Sequence, residues 1–196
     1  MKKKSLALVL ALAMIVVCVV GGTLAWLIAT TGSVTNTFTY GDINIKLEET
    51  DATVAADGSA TKEFKMIPGY TIAKDPKVTV LAGSEKCYLF VKVDKSPNFD
   101  SFMTYDMADG WTALTGVNGV YYREVETSTA NQEFAVLKDN QVTVSGDVTK
   151  GMLNDLNAEG ATQPTLTFTA YACQFNNSNG TSFTAADAWA KVNPTT

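Results

Sequence analysis

The sequence predicts an all-β protein: a single jelly-roll-like antiparallel β-sandwich with one or two short helices, preceded by a hydrophobic N-terminal signal helix. Three observations carry this prediction. Apolar and polar residues alternate with a period of two through most of the chain after residue 41, the pattern of strands with one buried face. Glycine-bearing turn pairs separate the alternating runs. Helical periodicity is confined to two short stretches near the C-terminus. The chain has 196 residues, 46% hydrophobic and 18% charged, which suits one folded domain and excludes a disordered chain.

The N-terminus reads as an export signal. Lys2, Lys3 and Lys4 form a positive start, and no further charge appears before Asp42. Residues 6–20 are Leu, Ala, Val and Ile-rich, and Gly21 and Gly22 end the run. Thr23 and Ala25 place small residues at the minus-three and minus-one positions of a signal-peptidase site, so the predicted cut falls between Ala25 and Trp26. The other reading is an uncleaved anchor, since residues 6–29 reach the roughly 20 apolar residues a bilayer span needs. Cys18 follows Val17 inside the apolar run, which argues against a lipoprotein site.

Removing residues 1–25 takes away three lysines and no acid, leaving 12 bases against 20 acids, a net charge of −8. That balance offers no electrostatic footprint for nucleic acid and disfavours anionic lipid surfaces. The organisation expected is a signal peptide over 1–25, a mature N-terminal segment over 26–41 and a β-sandwich over 42–196.

Within the sandwich, DINIKLEE sets Ile43, Ile45 and Leu47 against Asp42, Asn44, Lys46 and Glu48. Residues 51–60 are small and polar and read as a surface loop. KVTVL repeats the alternation through Val78 and Val80. KCYLFVKV is apolar on both faces, as a central strand covered on each side would be. NQVTV alternates at Val142 and Val144. In TLTFTAYACQF the apolar row begins as Leu166, Phe168 and Ala170 and swaps near Tyr171, which a bulge or burial of both faces would explain. Turns are expected at Pro68-Gly69, Gly83, Asp109-Gly110, Asn118-Gly119 and Asn179-Gly180, giving about nine strands in all. Residues 149–158 predict one short helix. Thr184 followed by Asp187 resembles a capping box for another, with Trp189 and Val192 turned to the core.

Residues that carry chemistry are few. Without histidine there is no Ser-His-Asp system, no HExxH zinc site and no imidazole-ligated metal. Glu124 and Glu126 share a strand face, a spacing open to acid/base work on a sugar but commoner on a solvated surface. Asp94, Asp100, Asp106 and Asp109 gather loosely in sequence and could ligate calcium, though they match no EF-hand loop. Tyr121 and Tyr122 are adjacent, so one is expected to face outward. Cys87 and Cys173 are either a disulfide formed in an oxidising compartment or two buried small hydrophobes. No catalytic, cofactor-binding or metal residue is assigned.

GGTLAW followed by TNTFTYGDINIKLEE resembles exported proteins of the TasA/camelysin family, whose signal peptides are processed by the dedicated signal peptidase SipW. The resemblance continues in order through MIPGYTIAKDPKVTV, CYLFVKV, GVYYR and FTAYACQF. It implies a secreted jelly roll of the cell surface or biofilm matrix, with self-association into fibres. It also implies that the mature N-terminus, roughly residues 26–38, pairs with the sheet of a neighbouring subunit. The sequence agrees in part: residues 27–37 are uncharged and rich in Thr and β-branched residues. That stretch is read as a donor strand, as the first strand of its own sheet, or as a frayed end. The metalloprotease activity ascribed to camelysin relatives does not carry over to a chain without histidine. The expected function is therefore a non-enzymatic structural protein, with signal peptidase, further copies and a matrix polymer or glycan as partners. The alternative is a monomeric binding module for glycan or a surface ligand, secreted or anchored through its uncut signal.

Overall fold

A computed structural model describes residues 42–193 of the chain. The predicted signal, its Ala25–Trp26 cleavage site and the segment over 26–41 lie outside those residues.

The regular structure of the described chain is mostly antiparallel β-strand, in several sheets, with short helices. Its largest sheet has the order β12-β6-β9-β8, formed by Leu166–Gln174 (β12), Cys87–Lys95 (β6), Val120–Val125 (β9) and Thr112–Ala113 (β8). A second sheet has the order β1-β5-β10, from Ile45–Glu48 (β1), Lys77–Val80 (β5) and Gln132–Ala135 (β10). A third pairs Thr71–Ala73 (β4), Gln141–Val144 (β11) and Met103–Thr104 (β7) in the order β4-β11-β7. Thr53–Val54 (β2) and Ala60–Thr61 (β3) form a small hairpin. The helices are Phe99–Phe102 (α1), Lys150–Asp155 (α2) and Ala185–Val192 (α3). Twelve strands form among the described residues against about nine expected, and four of them, β2, β3, β7 and β8, are two-residue pieces too short to show a period.

β6 is the centre of the molecule because both of its faces are apolar. Cys87, Leu89, Val91 and Val93 on one face meet Val78 and Val80 of β5, so the first two sheets lie face to face over one core. Tyr88 and Phe90 on the other face lie under α3, where the Trp189 ring is 5.4 Å from Phe90 and 5.2 Å from Tyr171, edge-on to the latter. A strand covered on both sides needs no polar row, which is why Cys87 to Val91 shows none before Lys92 and Asp94 emerge at its end.

The same arrangement explains β12. Its nine residues run in unbroken register with β6, from Leu166 opposite Lys95 to Gln174 opposite Cys87. There is no bulge in that register. Leu166, Phe168, Ala170 and Ala172 face the second sheet, while Tyr171 and Cys173 face α3. Burial of both faces, not a kink, swaps the apolar row.

Both helices near the C-terminus start on a threonine cap, and the one at Thr184 is the predicted one. The Thr149 side chain accepts the Met152 amide at 3.2 Å, and Thr184 Oγ1 accepts the Asp187 amide at 3.1 Å. Trp189 is buried and Val192 half-buried beneath α3, as expected. The 51–60 stretch departs from the expected loop. It closes as the β2–β3 hairpin, whose Ala55 amide donates to the Ser59 carbonyl at 2.8 Å, and it is exposed almost throughout. Gly119 shows why a glycine is needed in its turn. Its φ is +71°, and a Cβ there would lie 2.6 Å from the Val93 carbonyl oxygen.

Candidate functional site

The two facing sheets have two flanks, and they are finished differently. On one flank, Trp111 beside β8 donates its indole N–H to the Ala135 carbonyl of β10 at 2.8 Å. Arg123 of β9 fills the same flank, its guanidinium 4.0 Å from the Phe134 ring centre and 5.3 Å from that of Trp111. One side chain thus ties each sheet to the other, and the edge of β10 is covered.

On the opposite flank, β1 and β12 are the outer strands. Among the described residues β1 pairs only with β5, and β12 only with β6. Each therefore turns a row of backbone N–H and C=O groups outward. Between them runs a groove of about 1090 Å³. Its walls are mainly apolar and only half-buried: Ile45 and Leu47 from β1, Phe64, and Leu166, Phe168 and Ala170 from β12.

One ion pair lies in this groove. Glu49 Oε2 accepts from Lys74 Nζ at 2.8 Å, and the two side chains are 13% and 12% exposed. The Lys74 ammonium also sits 5.3 Å from the Phe64 ring centre and 5.4 Å from that of Phe168. Glu49 Oε1 is buried without a hydrogen-bond partner. Glu49 and Lys74 cancel each other at the buried wall, while Glu48, Lys62 and Glu63 line the groove beside them.

The predicted site residues distribute elsewhere. Cys87 and Cys173 do not form the disulfide left open by the sequence, and both are free and buried. The register explains it: Cys173 stands opposite Tyr88, one residue out of step with Cys87, so the two thiols project from opposite faces of one sheet. Burial pushes the Cys87 thiol up to about 11 and raises that of Cys173 too, which leaves both unreactive at neutral pH. Glu124 and Glu126 do share a face, and both flank Lys86, at 3.8 and 2.6 Å. They are exposed, so the pair is a surface ion cluster. Asp94 pairs with Lys92 at 3.0 Å and Asp100 with Lys95 at 2.7 Å. Among the described residues no three His, Cys, Asp or Glu side chains gather where they could hold a metal. Tyr121 and Tyr122 were expected to include one outward ring, yet both are half-buried because both faces of their sheet are covered. No described helix is long and apolar enough to cross a membrane.

Sequence reasoning missed the groove, its ion pair and the Arg123 stack. Glu49 and Lys74 are 25 residues apart, and nothing local marks them as partners. Comparison with protein-family models, with curated proteins and with solved structures finds no match to this chain.

Proposed function

We propose that this chain is an exported, non-enzymatic structural protein of the cell surface or biofilm matrix, built as a jelly-roll sandwich. Its copies join by strand addition: the uncharged segment over 26–38 of one copy enters the groove between β1 and β12 of the next. The observation that carries this reading is the pair of strand edges, open among the described residues, on either side of a mainly apolar groove. An entering strand would give those N–H and C=O groups partners and cover half-buried Leu47 and Phe168.

Two features of the sequence fit the role of occupant. No charged residue lies between Lys4 and Asp42, which suits a groove whose walls are mainly apolar. Residues 26–41, fully extended, would reach about 50 Å, far enough to enter a neighbouring molecule. Signal peptidase supplies the free end by cutting after Ala25. The resemblance to TasA/camelysin proteins points the same way.

Deletion of residues 26–38 tests the reading. Electron microscopy of the secreted product is expected to show no filaments, while its circular dichroism keeps the β-signature. Filaments unchanged by the deletion would refute it.

A second reading, a monomeric module that binds a glycan, draws on Tyr70. This ring is 64% exposed beside the Pro68-Gly69 turn, which is held by a hydrogen bond from the Gly69 amide to the Val144 carbonyl. It predicts no filaments at high concentration and saturable binding on a glycan array.

A further inference from the structure

We propose that the closed flank carries a carboxylate-binding site, centred on Arg123 and suited to an acidic sugar. It does not depend on the fibre reading, since it lies on the other side of the sandwich. Arg123 is the only arginine of the chain, which otherwise uses 14 lysines. Lys46, Lys74, Lys77, Lys86, Lys92 and Lys95 each hold a carboxylate within 4.0 Å. Among the described residues Arg123 holds none.

Its surroundings are unusual for a cation without a partner. Phe134 and Trp111 flank the guanidinium. Nη2 lies against Gly110, where a Cβ would come within 2.8 Å of it. Nε is buried and has no hydrogen-bond partner. The nearby acids turn elsewhere: Glu124 faces Lys86 and Glu133 is held by Lys77 at 2.9 Å, while exposed Asp109 reaches no cation within 4.0 Å. The aromatic faces offset part of the lost hydration. They do not supply the oxygen acceptors that the guanidinium N–H groups bond best.

A lysine at this place would also sit over the rings. What arginine adds is a rigid planar fork that takes both oxygens of a carboxylate at once. Trp111 and Phe134 are half-buried, so apolar surface borders the fork. A carboxylate on a carbon-rich ring meets both features, and a uronic acid residue in a polysaccharide is such a group. A bare inorganic anion meets only the first.

The test is a titration of the isotope-labelled full chain in neutral detergent, followed by NMR at the Trp111 indole N–H and the Arg123 Nε–H. A trisaccharide of galacturonate is expected to shift both signals saturably. The matching neutral trisaccharide of galactose is expected to shift neither. R123K keeps the charge and the stack but removes the fork, and should weaken binding at least tenfold with circular dichroism unchanged. Three results would each overturn the proposal: no saturable shift with galacturonate, an equal shift with inorganic phosphate, or wild-type affinity in R123K. Should R123K fail to fold, the wild-type titration with its two controls still decides.

Discussion

One flank of this sandwich is sealed by its own side chains, and the other is left unfinished. At the sealed flank Trp111, Arg123 and Phe134 interleave across the gap, and an indole N–H covers the edge of β10. At the unfinished flank β1 and β12 keep unpaired edges among the described residues, and the apolar residues between them are half-buried. The same two sheets supply both flanks, so overall architecture does not account for the difference. Large side chains close one gap, whereas at the other Phe64, Lys74 and Phe168 line a groove that stays open. A protein whose edges were all blunted would be safe from association. One edge pair left open beside an apolar groove suits a partner strand.

The contrast should appear first in stability. Phe134→Ala removes a ring from the sealed flank and is expected to destabilise the fold by about 3 kcal/mol, measured by urea unfolding. An effect well under 1 kcal/mol would mean that the stack does not hold the sheets together.

Alkaline pH probes the core shared by both flanks. The buried Cys87 thiol has a pKa raised from 9.0 to about 11. The folded state therefore holds this proton more tightly than the unfolded chain does. The resulting stability is fully present below pH 9 and disappears as pH rises towards 11, amounting to about 2–3 kcal/mol. Tyr105, pushed up to about 12 chiefly by burial, extends the decline at higher pH. Cys87→Ala should flatten the curve between pH 9 and 11 while lowering its plateau.

Gly119→Ala acts on the turn that leads into β9, the strand carrying Arg123. The new methyl would meet the Val93 carbonyl at a positive φ, so a loss of about 2 kcal/mol is expected in thermal unfolding. The smallest effect on stability is expected at the open flank. Leu47→Ala, on half-buried β1, should cost about 1 kcal/mol of folding free energy and yet lower assembly at least tenfold by light scattering. A variant equally mild in both respects would erase the distinction between the flanks.

The sequence made the local features legible and left the flanks hidden. The double burial of β6 was visible because Cys87 to Val91 is apolar on both faces, and the cap at Thr184 because its signal spans three residues. Face parity on each cysteine strand was also readable. The one-residue offset that separates Cys87 from Cys173 was not, because only the pairing of β12 with β6 fixes it. The groove depends on which strands end each sheet, and the order β12-β6-β9-β8 leaves no trace in any single run. Trp111, Arg123 and Phe134 come from three separate stretches, so no spacing announces their stack.

Hydrogen exchange compares the open edges directly in dispersed and assembled protein. If a strand from another copy fills the groove, the outward amides of β1 and β12 exchange quickly in dispersed chains and become strongly protected in filaments, while those of β6 stay protected in both. Filaments in which the β1 and β12 amides exchange as fast as before, or dispersed chains in which they are already protected, would contradict the account.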